Sequence, residues 1–362
     1  MEKNKNQIKN KTNLETKQIN QTNQFTNKFK TMKKLFLLVA IAALGLASCS
    51  EENFDQVSQK DSNKIAFKTL VGKNNLKVTE LVQAQFQDFW VSAYRTQGNA
   101  ASVFGQTLIP YIDNLRVQWN GSAWVYNGSY YWPGTDYLNF FAHNAEGYLL
   151  PTTSITGYPT FTYTQVPASS KDIVVAMDTN KVQVGTNPVA LQFKHALCQI
   201  NFSLKGAEVG PEYQIKQIKL NARTQGTFTF KPIATSGITS NWSGQLNASD
   251  YIYYDALGSS TSISTTLTNF QTATNPIMII PQNGELVTIT VTYDFVNQGV
   301  VLVQDAVATV TLTGEQMNVG KKVRYNLTIP TPTSITGNRI TFTGTVSDWS
   351  SELPGGVTTT AN

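Results

Sequence analysis

From Leu191 onward the chain is written in a period of two. Between Leu191 and Val346 come LQFKHALCQINFSLK, QIKQIKLNA, GTFTF, PIMIIP, LVTITVTYDF, AVATVTLT, VRYNLTI and RITFTGTV, short runs that mostly alternate apolar with polar residues. Successive side chains of a strand point to opposite faces, so alternation gives each run one face for a core and one for solvent. Turn-forming residues separate the runs, and no segment from 190 to 349 carries the period of an amphipathic helix. Many short strands with this punctuation predict β-sandwiches and an all-β fold. The composition agrees, with 14% of residues charged, 11% aromatic, and Thr, Ser, Asn, Val and Tyr abundant.

The first half has the same grammar with weaker spelling. In KIAFKTLV, Ile65, Phe67, Thr69 and Val71 form one face of an imperfectly alternating strand, and residues 72–75 (GKNN) read as a turn. Phe86 to Tyr94 is strand-like. Residues 115–132 read as a hairpin turning at Asn120-Gly121, a strong short-range signal. Tyr137 to His143 is another strand, and Asp172 to Met177 is a nearly continuous apolar run suited to a buried one. Gly185, Asn187 and Pro188 mark a hinge. A chain of 362 residues is long enough for two ordinary domains, here expected at 64–185 and 186–350.

The ends stand apart from this core. Residues 1–34 hold nine lysines and two glutamates, a charge of +7, while the remainder carries 19 basic and 21 acidic groups (28 − 9 and 23 − 2), a net −2. The body therefore offers no electrostatic case for nucleic acid. Lys33-Lys34 and the apolar run Leu35 to Leu46 have the form of a secretory signal, too short to span a bilayer comfortably. The run closes on Leu46-Ala47-Ser48-Cys49, which resembles a bacterial lipobox, in which the cysteine receives a diacylglycerol. The polar, Asn/Gln/Lys-rich residues 1–31 read as a disordered extension upstream of a true start at Met32, so that 1–48 is extension plus signal peptide. Residues 49–63 read as a tether and 351–362 as a flexible tail. Acidic residues directly after Cys49 resemble the export signal of surface lipoproteins. The expected address is the outer face of an outer membrane, held by lipid.

Catalytic and metal chemistry find little here. His195 and Cys198 are three apart, so on one strand they point to opposite faces and cannot pair. With His143 the only other histidine, the ligand set for zinc is short, and no third group nearby is specified to orient a base. No cofactor, catalytic or metal site is expected, and the chain does not read as an enzyme. Arg223, Arg324 and Arg339 stay open between solvated strand faces and ligand clamps. The cluster Trp119, Trp124, Tyr126, Tyr130, Tyr131 and Trp132 reads either as core and cross-strand pairs or as a sugar-stacking platform.

FKHALCQINFSLKG, preceded by DIVVAM, resembles a recurring segment of the fimbrillin family, the subunits of type V pili. Trp119, the run Tyr130 to Pro133, Leu138 to Ala142 and the closing RITFTGTVSDW resemble further family segments in the same order. The resemblance implies two tandem transthyretin-like β-sandwich domains in a lipidated, surface-exported precursor. It also implies proteolytic removal of the first strand (Ile65, Phe67, Thr69, Val71), whose groove then accepts a donor strand from another subunit of a fimbrium. Many stalk subunits of that family are cut after arginine; here no arginine lies between Cys49 and Arg95, leaving Lys68, Lys73 and Lys77 as candidate sites. The tail after Trp349 is poor in large apolar residues and would make a poor donor strand. Stalk, anchor and tip roles therefore stay open, beside the alternative of a non-polymerising, glycan-binding surface lipoprotein with a host or bacterial ligand.

Overall fold

Alternation becomes strand throughout. The computed structural model describes residues 63–71, 86–97, 105–169, 171–232, 241–270, 276–315, 317–333 and 335–348. In chain order the first strands are β1 (Phe67–Val71), β2 (Asp88–Thr96), β3 (Thr107–Trp119), β4 (Trp124–Tyr126), β5 (Tyr137–His143), β6 (Ile155–Thr156), β7 (Thr160–Thr164), β8 (Val174–Lys181) and β9 (Val189–His195). All but β7 form sheet one, in the order β1-β9-β8-β5-β2-β3-β4 with β6 on β3. The Asn120-Gly121 turn falls between β3 and β4, where Asn120 N–H donates to the Ala123 carbonyl and the Asn120 Oδ1 accepts from the Ala123 N–H at 2.8 Å.

The remaining strands are β10 (Cys198–Gly206), β11 (Glu212–Thr229), β12 (Trp242–Asp255), β13 (Thr261–Ile263), β14 (Thr268–Asn269), β15 (Ile277–Ile279), β16 (Thr288–Asn297), β17 (Val300–Thr311), β18 (Lys321–Ile329), β19 (Asn338–Arg339) and β20 (Thr341–Asp348). Sheet two runs β14-β10-β18-β20 with β15 also on β10; sheet three runs β12-β11-β16-β17-β19 with β13 and β7 on β11. The one helical element among the described residues is a 3-10 turn at Gly284–Leu286.

Three hydrophobic clusters follow from which face each residue occupies. Sheets two and three enclose the largest, where Ile200, Phe202, Ile218, Val291 and Tyr325 meet. A second is built wholly from sheet one and the segments flanking its strands, including Phe89, Phe140, Leu191 and Phe193, so the sheet folds over its own core. The third lies where sheet one meets the end of sheet three, with Phe141, Phe161, Phe228 and Trp242. β5 faces two of these clusters, Phe140 into one and Phe141 into the other, which is why its sequence shows little alternation.

The fold differs from the sequence reading in two runs. LQFKHALCQINFSLK, read as one strand with His195 and Cys198 on opposite faces, is two: β9 ends at His195 in sheet one and β10 begins at Cys198 in sheet two, so different sheets rather than opposite faces separate the pair. QIKQIKLNA and GTFTF, read as separate, are parts of β11, which runs unbroken through Gly226. A Cβ at 226 would lie 3.2 Å from both Ile280 Cγ2 and Trp242 Cε3, so glycine there serves close packing rather than a turn. The same logic is stricter at Gly284, where a Cβ would fall 1.9 Å from the Leu312 carbonyl oxygen, a backbone atom that cannot swing aside. Gly284→Ala is expected to cost about 3 kcal/mol, read from urea denaturation; an unchanged midpoint would show that this turn is looser than described.

Candidate functional site

The candidate site is the first described segment and its seat. β1 pairs in parallel with β9, Phe67 opposite Val189 through Val71 opposite Phe193. The ladder is extended by the Val189 N–H, which donates to the Ala66 carbonyl at 2.8 Å. Just upstream the chain changes partner. Ile65 N–H donates to the Tyr130 carbonyl at 2.9 Å, Trp132 N–H donates to the Asn63 carbonyl at 3.0 Å, and Lys64 bridges Tyr131. The Tyr126 hydroxyl donates to the Ile65 carbonyl, and the Lys64 ammonium lies 5.4 Å from the Tyr126 ring centre. One short segment therefore binds both ends of sheet one: β9 at one edge, and the stretch just after β4 at the other.

Side chains anchor it. Ile65 is 1% exposed and Phe67 6%. The Phe67 ring makes edge contacts with Phe89, Tyr126 and Phe140 at centroid distances of 6.0, 5.9 and 5.9 Å. Burial of two such side chains is worth about 1.5–3 kcal/mol each. Thr69 is half-buried and Lys68 points outward, opposite Ala190. Val71 lies in the strand, but its side chain, like Lys73, Lys77 and Cys49, is outside the described residues.

The aromatic cluster is mostly spent on this core. Trp132 is buried, Trp124 packs against Phe86 and Phe89 at 5.5 and 5.0 Å, and Tyr126 meets Phe67. Trp119, 38% exposed, tilts 60° against Trp124, so the two offer no flat platform.

The histidines and the thiol are apart. Cys198 is fully buried, and burial raises its pKa, which keeps the thiol protonated and inert. Its hydrogen-bond contact is with the Gln199 carbonyl. His195 does have an orienting group: its Nδ1 lies 2.7 Å from Asp172 Oδ2, both side chains buried. Asp172 sits 23 residues upstream. It sits just before β8, which pairs with β9, and no sequence spacing announces it. The expectation that no third group stands near His195 is thus corrected, although a protonated, buried thiol leaves this pair without a nucleophile to activate. Among the described residues no group of three or more His, Cys, Asp or Glu is arranged to hold a metal. No described helix is long and apolar enough to cross a membrane.

The fimbrillin-like family matches this chain over residues 77–349. No curated protein sequence matches it. Among solved structures, a fimbrial protein from Bacteroides vulgatus shares 19% identity over 79% of this chain and 99% of its own, with a TM-score of 0.56, a likeness of fold. A fimbrilin from Porphyromonas gingivalis shares 13% identity over 80% of this chain and 98% of its own, with a TM-score of 0.46.

Two measurements test these assignments, the first of them the seat of β1. Phe67→Ala is expected to cost about 3–5 kcal/mol in chemical denaturation, and Lys68→Ala less than about 0.5 kcal/mol; equal effects would mean β1 is not anchored by its inward face. His143 is fully buried among Trp90, Phe161 and Phe230, and burial, opposed only weakly by the backbone of Ala145, lowers its pKa from 6.5 to about 4. Between those values the unfolded chain binds a proton that the folded chain refuses, so stability falls as pH falls through that window, by about 3 kcal/mol. His143→Phe removes that part of the slope; an unaltered pH profile would exclude residue 143 as its source.

Proposed function

This chain belongs to the fimbrillin-like family, and we propose that it is a structural and adhesive subunit of a cell-surface fimbria, exported as a lipoprotein on Cys49 and assembled by donor-strand exchange. The observation that carries this reading is the seat of β1. A strand at the edge of a sheet, parallel to its single strand neighbour and holding Ile65 and Phe67 in the core, is a removable part. Its loss would uncover both an unpaired ladder along β9 and an apolar slot between Phe89, Tyr126 and Phe140. A strand from a neighbouring subunit would restore both, with alternate side chains refilling the slot. Cleavage at Lys68, Lys73 or Lys77 would release the segment, and Lys68 is the one whose side chain is described as exposed. The chain is read as two tandem units, 64–185 and 186–350, although β9 (Val189–His195) still pairs within sheet one and sheet two begins with β10.

A structural subunit needs no catalytic constellation, and the protonated Cys198 fits that role. Glycan stacking on the Trp119 cluster is less well supported, because most of those rings pack inward.

Mass spectrometry of the protein recovered from the cell surface, reading its N-terminus, tests the proposal. An N-terminus between residues 69 and 78, with a heat-sensitive ladder on gels, is the expected result. A lipidated Cys49 on every molecule and no ladder would rule out a polymerised subunit and leave an anchor or a monomeric surface lipoprotein.

A further inference from the structure

The chain holds three Asn-Gly pairs, Asn120-Gly121, Asn127-Gly128 and Asn283-Gly284, and the fold treats them differently. In such a pair the glycine nitrogen, with no side chain beside it, can attack the amide carbon of the asparagine. In Asn283-Gly284 the attacking nitrogen is held. Gly284 is buried, and its N–H donates to the Glu315 carbonyl at 2.9 Å. In Asn120-Gly121 the amide is held. Asn120 Oδ1 accepts from the Ser122 N–H at 3.0 Å, the Ser122 hydroxyl at 3.1 Å and the Ala123 N–H at 2.8 Å. Asn127-Gly128 has neither restraint. Both residues are exposed, as is Ser129, and among the described residues neither the Asn127 side chain nor the Gly128 N–H has a hydrogen-bond partner. Gly128 takes a φ of +91°, and a Cβ there would meet only Tyr130 Cε2, at 3.8 Å, so the approach to its nitrogen is open.

This turn also sets one half of the β1 seat. Before it, the Tyr126 hydroxyl donates to the Ile65 carbonyl, and the Tyr126 ring lies 5.9 Å from that of Phe67. After it, the Tyr130 carbonyl accepts the Ile65 N–H at 2.9 Å. Residues 127–129 therefore fix the spacing of the two groups that grip Ile65 from either side.

We propose that Asn127 is a self-modification site, at which the folded protein deamidates and thereby loosens its own first segment. The Gly128 nitrogen bonds to Asn127 Cγ and gives up its proton. The bond from Cγ to the side-chain nitrogen breaks, and that nitrogen leaves as ammonia. Water then opens the cyclic succinimide. Opening at Cγ leaves an aspartate, and opening at the main-chain carbonyl leaves an isoaspartate, whose backbone runs through the former side chain and is one carbon longer. No oxidant or reductant takes part. The added carbon falls between Tyr126 and Tyr130, so the isoaspartate form loses the spacing that holds Ile65. This chemistry concerns the seat of β1 alone, so it stands or falls separately from assembly into a fimbria.

The test is ageing of the folded full chain at mildly alkaline pH, followed by peptide mapping with mass spectrometry, which reads replacement of the amide NH2 by OH. Asn127 is expected to react about tenfold or more faster than Asn120 or Asn283, each of which must first break hydrogen bonds. In urea, where all three pairs are released, the rates are expected to converge. Isoaspartate at 127 is read by an isoaspartyl methyltransferase assay, and the modified fraction is separated by ion exchange. Hydrogen exchange in residues 63–71 of that fraction is expected to be about tenfold or more faster than in fresh protein, as loss of the Ile65 hydrogen bonds requires. Asn127→Gln, whose longer side chain closes the ring slowly, is expected to show neither change on ageing. A rate at Asn127 no higher than at Asn283 in the folded chain would overturn the proposal. So would a preference for Asn127 that persists in urea, since the fold would then not be its cause, or an isoaspartate fraction whose residues 63–71 exchange like those of fresh protein.

Discussion

The geometry of sheet one depends on a single segment that ties its two ends. Residues 63–65 hydrogen-bond the chain at Tyr130 and Trp132, and residues 67–71 pair with β9 at the opposite edge. A twisted sheet of this width must either leave two raw edges or bring them together. Here a strand too short to fold alone does the latter, and its inward side chains fill the space that the folding-over creates. The Phe67 ring, in contact with Phe89, Tyr126 and Phe140, joins strands far apart in sheet order. The same segment is thus a hydrogen-bonding seam and a core plug, and one physical event, its departure, would undo both.

Local chemistry was readable wherever one residue decided the outcome. Asn120-Gly121 announced a hairpin because few other residue pairs turn a chain so tightly between strands, and the turn sits there. The alternation of β18, and of β16 as far as Tyr293, separated core from surface residue by residue. Tyr137–His143 appeared with its limits intact. Pairing partners were not readable, since hydrogen bonds of the ladder belong to the backbone and carry no side-chain signature. Nothing in Phe67–Val71 marks it as parallel to β9, and nothing in Thr160–Thr164 marks β7 as a strand of sheet three, paired to β11 from the far side of the 185 turn. The His195–Asp172 pair was missed for the same reason: two strands side by side bring together residues that spacing keeps apart. Of the candidate site, Ile65 and Phe67 were legible as inward because apolar residues at a gap of two share a face. That their seat spans two edges was not, because it depends on the backbone of residues 130–132.

Sheets one and two use their outward surfaces differently. In sheet one the second face of β5 is drawn into the cluster shared with sheet three, so both faces of that strand are apolar and little is left for solvent. In sheet two the face away from the large cluster carries amides, hydroxyls and cations, and beside Gln199 it meets the junction core through Met278. Burying polar groups without partners is costly, and a face that does so at Gln199 and Asn326 while carrying an arginine without a carboxylate stores unmet hydrogen-bonding capacity. On sheet three, by contrast, such groups satisfy one another, as Lys216 does between Asp294 and Asp305.

The distribution of the cores bears directly on whether a subunit could lose its first strand and survive. Neither the large cluster between sheets two and three nor the cluster at the junction contains a described side chain from the 63–71 segment. Only the core of sheet one does, and there Ile65 and Phe67 join many residues drawn from five other strands and the segments beside them. Removal of β1 would therefore take a few kcal/mol from one cluster while leaving two untouched. Stability in proteins is local in this sense, with edge elements opening at lower free energy than the core. A strand whose loss unfolded the whole chain could not be exchanged, and one with no stake in the core would leave no groove worth filling. β1 lies between those limits. It is tied closely enough that its absence exposes a specific ladder and slot, and separately enough that the rest of the molecule has its own reasons to stay folded.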